Sequence, residues 1–487
     1  MSKTDRGLRR LAAGTLLVAF DGATAPEWLL RELGEGLGGV TLFGFNVRDH
    51  AQLAGLTATL RAAGDPVVSL DEEGGDVTRL AYHAGSPYPG NAALGAVDDA
   101  ELTERVYRAI GAELAACGVT LDMAPDADVN TAEDNPVIGT RSFGADADLV
   151  ARHTVAAVRG LQAAGVAACV KHFPGHGATT VDSHLAVPVV DASMALLRER
   201  ELVPFRAAIE AGARSVMTAH VAVPALTGSQ PATLSPEALT GLLRGELGYD
   251  GVVITDALDM KAVSDGVGLV GGAVRSLAAG SDLLCLGPTP GYDDIRRIIA
   301  GIVAAVEDGT LPVARLEEAA ARVAELRAWT GRPRPPVARE PGIGLEAARR
   351  AVKLVGAVPP ASPAAGPLVV ELDTPPTIAV GEVPWGLSPL LPAGDTLRVR
   401  PAEADADALV RQAAGRSLVV VLKDAHRHPE SRALVSELVA RRPDAVVVEM
   451  GLPVWRPECA AYIATYGASR ASAAAAMELL SLQLLTA

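Results

Sequence analysis

Cysteine is scarce in this chain. Four occur in 487 residues (Cys117, Cys169, Cys285, Cys459), far apart and with neither metal-ligand nor paired spacing. That pattern excludes a disulfide framework and leaves reduced, mostly buried thiols, as expected of a cytosolic protein. Basic residues are also in deficit: 43 Lys and Arg face 58 Asp and Glu, for a net charge of −15. Phosphate binding needs a basic surface, so nucleic acid is excluded as a partner. No apolar run approaches the ~20 residues that cross a bilayer, so no membrane partner is expected. The Gly/Pro motifs lack the phosphate-loop and dinucleotide fingerprints, and no carboxylate cluster has EF-hand spacing. Neither a metal nor a cofactor is therefore expected.

Apolar residues make up 49% of the chain, ample for a large core, and its length suggests two or three domains. Short β-rich runs recur at Thr15–Phe20, Gly39–Phe43, Val67–Leu70, Val119–Met123, Val166–Val170, Ser215–Thr218, Val252–Ile254 and Asp282–Leu286. Between them lie segments with helical spacing, such as Ala100–Cys117, Ala147–Ala164 and Ser193–Ala211. Alternating strands and helices of this kind predict an α/β fold, a (β/α)8 TIM-like barrel over residues 1–330. The stretch Arg9 to Ala25 imitates a signal peptide, but its apolar part is needed as the first barrel strand. A Pro/Arg/Gly-rich linker follows at 331–344, then a smaller αβα sandwich domain over 345–487. The expected elements there are a helix at Leu345–Val355, strands at Leu368–Leu372, Thr377–Val380, Leu397–Val399, Leu418–Leu422, Ala445–Glu449 and Tyr462–Ala464, and helices at Glu403–Ala414, Pro429–Ala440 and Ser469–Leu485. Val358–Pro367 reads as a second Pro/Ala-rich connection.

Chemistry collects at the ends of the barrel runs. Run three ends in Asp71-Glu72-Glu73-Gly74-Gly75, run four leads to Asp126 and Asp128, run six ends in Ala219-His220 and run seven in Thr255-Asp256. Run five opens onto Lys171-His172-Phe173-Pro174-Gly175-His176-Gly177, then Asp182-Ser183-His184, so three of nine histidines fall in one segment. Strand C-termini of such a barrel converge on one face, where its active sites lie. Asp182 and His184 are two apart, which puts both side chains on one side of extended backbone. A carboxylate beside an imidazole sets its tautomer and basicity. Asp256 can act as a nucleophile or hold a metal, or merely cap the next helix, while Asp259 reads as structural. Asp71 suits the binding of sugar hydroxyls.

Taken together, KHFPGHG with DSH, DEEGG…R, NPVIG…RSFG, MTAHV and TDALDM resemble glycoside hydrolase family 3. More narrowly, the set is similar to the bacterial β-N-acetylglucosaminidases (β-N-acetylhexosaminidases) of that family. The resemblance implies Asp256 as nucleophile and His184 as acid/base in a dyad with Asp182. It also implies that Asp71, Arg79, Arg141, Lys171 and His172 hold the sugar. Asp76 departs from the family pattern, which has a basic or polar residue there. The implied activity is retaining exo-hydrolysis of terminal β-linked N-acetylglucosamine from oligosaccharides or peptidoglycan fragments, in cytoplasmic cell-wall recycling. Because neutral imidazole does not repel an anion, inorganic phosphate could replace water, making a phosphorylase the alternative. A β-glucosidase and a non-catalytic sugar-binding barrel are the remaining readings. The former generally lacks the KHFPGHG…DSH loop, and intact catalytic motifs weigh against the latter.

Overall fold

The computed structural model describes residues 3–184, 186–334, 337–360, 366–392 and 394–482. The chain forms two compact units. One comprises Met1–Glu72, Thr103–Ile138 and Gly144–Arg339; the other comprises Glu73–Leu102, Gly139–Phe143 and Glu340–Ala487. The two internal segments of the second unit follow the third and fourth strands of the first along the chain.

Among its described residues the first unit is built on eight strands: β1 (Leu16–Val18), β2 (Gly39–Thr41), β3 (Val67–Leu70), β4 (Leu121–Asp122), β5 (Ala167–Phe173), β6 (Ser215–Thr218), β7 (Val252–Thr255) and β8 (Leu284–Cys285). They pair in parallel in the order β7-β6-β5-β4-β3-β2-β1-β8. A bridge between Ile254 and Leu283 carries the sheet round to its starting strand, so the eight form a nearly closed TIM-like barrel. Every strand residue is buried, which is why the sequence shows continuous apolar runs rather than alternation. Leu17, Val67, Leu121, Cys169, Met217 and Ile254 share one core, against which helix Val313–Thr330 packs Val323 and Leu326. All four cysteines are free; Cys169 and Cys285 lie in this core, and burial pushes the Cys169 thiol up to about 12. No described helix is long and apolar enough to cross a membrane.

Among its described residues the second unit carries six strands: β9 (Lys353–Gly356), β10 (Leu368–Leu372), β11 (Thr396–Val399), β12 (Leu418–Leu422), β13 (Val446–Glu449) and β14 (Ala461–Ala464). Their order is β11-β10-β12-β13-β14-β9, parallel except for β9, which runs antiparallel to β14. Alternate residues of β12 feed two cores. Leu418, Val420 and Leu422 meet Leu434 and Leu438 on one face; Val419 and Val421 meet Ala473 and Met477 on the other. Helices on both faces of a sheet make this an αβα layer structure.

Three sequence expectations need correction. The helix expected over Leu345–Val355 stops at Ala351, and Lys353–Gly356 becomes β9. Its apolar spacing fits helix or strand, and pairing with β14 decides; a Cβ on Gly356 would sit 2.2 Å from the Ala460 carbonyl. The strand expected at Thr377–Val380 is a turn, and the Ala379 and Val380 carbonyls accept from Arg79 instead of joining a ladder. The helix expected over Ser193–Ala211 is two, Met194–Glu199 and Leu202–Glu210. It breaks at Arg200 (φ −125°, ψ −76°), next to Glu201, whose side chain is buried where a Cβ on Gly175 would strike it. Residues 335–336 of the expected linker, 361–365 of the Pro/Ala-rich connection and 483–485 of the last expected helix lie outside the described residues.

Candidate active site

In the first unit the site is built around the end of β5, which continues through Lys171 and His172 to Phe173. Its register with β6 shifts between Val170 and Phe173, as expected where a strand re-aims its last side chains. Lys171 is 1% exposed, and its ammonium donates to Asp71 Oδ1 at 2.7 Å beyond the end of β3. His172 Nδ1 lies 2.7 Å from Asp128 Oδ2. The carboxylate accepts, so Nδ1 carries the proton. Asp128 Oδ1 also accepts from the His176 amide at 2.6 Å, tying the loop after β4 to the loop after β5. Burial alone would raise the Asp128 carboxyl, but His172 and His176 outweigh it and hold it below the usual carboxylate range. Asp126, Asp128 and His172 have donor atoms within 4.8 Å of one another, the composition of a cation site. The His172–Asp128 contact itself has hydrogen-bond length. Asp122, inside the barrel, is pushed well above the carboxylate range by burial and accepts from the Glu72 amide at 2.9 Å.

The loop after β5 is anchored by His176. Its Nδ1 lies 2.7 Å from Thr179 Oγ1 and its Nε2 3.0 Å from Ser183 Oγ. Thr179 donates its single proton to the His176 carbonyl at 3.0 Å, so it accepts from Nδ1, and Nε2 accepts from Ser183. Burial pushes the His176 imidazole down to about 4, which keeps that neutral tautomer in place. Gly177 is required here, because a Cβ would meet the Val129 carbonyl at 2.1 Å. Ser183 sits between the two dyad residues. Asp182 Oδ1 accepts from the His184 amide at 2.9 Å and lies 2.7 Å from His184 Nδ1. Burial raises the Asp182 carboxyl, but the hydrogen bonds from His184 outweigh it and hold it low. The dyad side chains are 16% and 22% exposed, so bulk solvent does not flood the pair.

Asp256 ends β7. Its Oδ1 accepts from the Ala257 amide at 2.8 Å. Burial would raise its carboxyl; the imidazoles of His220, His172 and His184, then the Ala257 amide, reverse that and hold it below the usual range. His220 is fully buried, with Nε2 3.0 Å from the Ala257 carbonyl and Nδ1 2.8 Å from Thr233 Oγ1. A carbonyl only accepts, so the proton is on Nε2, and burial lowers the imidazole. Asp259 accepts from the Thr289 amide at 3.0 Å, in keeping with its structural reading. The arrangement supplies an ionised carboxylate for attack on carbon and a carboxylate-polarised imidazole for proton transfer.

Two expected sugar-binding residues belong to the second unit. Arg141 donates from Nε and Nη2 to the two oxygens of Glu73, at 2.9 and 2.7 Å. Arg79 donates to the carbonyls of Val380 (3.2 Å) and Ala379 (2.7 Å). Asp76 is buried and accepts from Lys423 Nζ at 2.7 Å and from Thr140 Oγ1 at 2.8 Å. Sequence reasoning passed over four residues with evident roles: Glu73, Asp128, His176 and His220. Each lies in a motif already singled out, but its partner (Arg141, His172, Ser183 or Ala257) is fixed only on folding.

Residues 18–326 match the Glycosyl hydrolase family 3 N terminal domain. The chain is 36% identical over 317 residues to beta-hexosaminidase A of Pseudoalteromonas piscicida, a match spanning 60% of this chain but only 53% of that protein. It is 38% identical over 283 residues to the beta-hexosaminidase of Chromobacterium violaceum, covering 56% of this chain and 78% of the relative. Among solved structures, the family 3 beta-N-acetylglucosaminidase of Paenibacillus sp. str. FPU-7 superposes with a TM-score of 0.86 at 33% identity, over 98% of both chains. With the family match covering more than half its length, the chain belongs to glycosyl hydrolase family 3.

Proposed function

We propose that the protein is a retaining exo-β-N-acetylglucosaminidase that removes terminal β-linked N-acetylglucosamine from oligosaccharides or peptidoglycan fragments. The observation that carries the reading is the His184–Asp182 dyad, with 2.7 Å between Nδ1 and Oδ1, in the same unit as Asp256, whose carboxyl the imidazoles of His220, His172 and His184 hold low against burial. In this scheme Asp256 attacks the anomeric carbon and forms a glycosyl ester as the bond to the aglycone oxygen breaks. His184, its Nδ1 proton held by Asp182, delivers a proton to the departing oxygen from Nε2. The same nitrogen, now neutral, takes a proton from water, whose oxygen attacks the anomeric carbon and frees Asp256. Asp71, as an acceptor, and Lys171, His172, Arg79 and Arg141, as donors, bind the sugar's hydroxyls and N-acetyl group. The hexosaminidase and N-acetylglucosaminidase names of the relatives support the N-acetyl sugar over glucose.

The test is turnover of 4-nitrophenyl β-N-acetylglucosaminide and of the matching β-glucoside, each with and without phosphate, with Asp256→Ala as blank. We expect the N-acetyl sugar to be preferred and phosphate to have no effect. Acceleration by phosphate with release of sugar 1-phosphate would replace water as the second nucleophile. No turnover of either sugar would defeat the reading.

A further inference from the structure

Asp76 sits among hydrogen-bonding partners that give it a use. The side chain is buried, at 7% exposure, so its charge needs a partner. Oδ1 accepts from Lys423 Nζ at 2.7 Å and from the Ala468 amide at 3.3 Å, and Oδ2 accepts from Thr140 Oγ1 at 2.8 Å. Lys423 follows β12 directly. Burial would lower its ammonium, but Asp76 and Asp424 outweigh that and raise it, so it stays charged. Thr140 precedes Arg141, whose guanidinium donates along one edge to both oxygens of Glu73 and whose carbonyl accepts from Asn91 Nδ2 at 2.6 Å. One lysine on the sandwich sheet thus anchors, through a single carboxylate, the turn that carries Arg141. All of these groups lie in the second compact unit.

We infer that Lys423 is a positioning residue for sugar binding, acting through Asp76 and Thr140 to hold Arg141 in place. The inference rests on the reading above in which Arg141 binds the sugar. An arginine that holds the sugar equally in ground and transition state affects KM and leaves kcat alone. A merely structural lysine would instead lower the amount of folded enzyme and leave KM unchanged.

The experiment compares Lys423→Met, Lys423→Arg and Thr140→Val with wild type, on 4-nitrophenyl β-N-acetylglucosaminide and by amide hydrogen exchange across Gly139–Phe143. Thr140→Val keeps the Asp76–Lys423 pair and so decides the matter if Lys423→Met does not fold. Lys423→Met and Thr140→Val should each raise KM about tenfold with kcat within about threefold, while Lys423→Arg stays near wild type. Exchange at residues 139–143 should quicken in the two disruptive variants. Unchanged KM in the folded variants, or no rescue by arginine, overturns the inference. If wild type proves inactive on the sugar, the functional reading fails, and the exchange rates alone decide: faster exchange at 139–143 upholds the anchoring, equal rates refute it.

Discussion

A carboxylate oxygen 2.7 Å from His184 Nδ1 does two things to that imidazole. It keeps a proton on Nδ1, which in the proposed reaction leaves Nε2 for exchange with substrate, and a carboxylate there favours the charged ring that would donate. An aryl leaving group needs no such donation, whereas a sugar leaving group does. His184→Ala should therefore slow a chitobiose-type substrate by about 10²–10⁴ and a 4-nitrophenyl glycoside far less. Steady-state kcat/KM on both substrates checks this, and equal losses would remove His184 from the acid/base role. Asp182 and His184 were legible in the chain because they are neighbours in sequence and their contact is local. Glu73 and Arg141, 68 residues apart, were both visible as charged residues, but their bidentate pairing was not.

The segment from Pro174 to His184 has little regular structure, so its shape depends on a few fixed contacts. His176 supplies two of them and does so as a neutral ring. An unfolded chain restores its usual basicity, so between its ordinary value of 6.5 and about 4 the unfolded state binds a proton that the folded ring does not. Stability of the first unit should thus fall as pH drops through that window, by up to about 3 kcal/mol. His176→Gln should flatten the dependence, read as the difference in urea midpoint between about pH 7 and about pH 5. An identical pH slope in the variant would show that other groups govern it. At this scale the sequence foretold the buried parallel strands best: Val67–Leu70, Ser215–Thr218, Leu368–Leu372 and Leu418–Leu422 agree residue for residue. Such strands are apolar on both faces and announce themselves. Edge strand β9, exposed along its length, has no such signature.

At the scale of the whole barrel, one buried charge ties neighbouring elements together where the sheet closes. Asp282, fully buried just before β8, accepts from the Val253 amide of β7 at 2.9 Å and from Arg244 Nη2 at 2.5 Å, and it pairs with Arg315. The carboxylate joins the last strands of the sheet to helix Val313–Thr330, which carries Arg315. Asp282→Asn removes the buried charge that Arg244 and Arg315 share, leaving Arg315 only the half-exposed Glu318, and should cost about 3–5 kcal/mol. Thermal unfolding would show a lower midpoint; an unchanged one would mean the arginines find other acceptors. The compact units are likewise a property of the whole chain, since Glu73–Leu102 and Gly139–Phe143 pack with residues beyond Glu340.

By itself the sequence determined the barrel, the sandwich and the motifs that put Asp256 just after β7 and Asp182 and His184 in the loop after β5. Hydrophobic period and local geometry are short-range properties, written within a few residues. Only the tertiary structure decided which unit each loop joined and which cation answers Asp76. That lysine is 347 residues away, and a buried carboxylate finds its counter-charge only when folding excludes water from both.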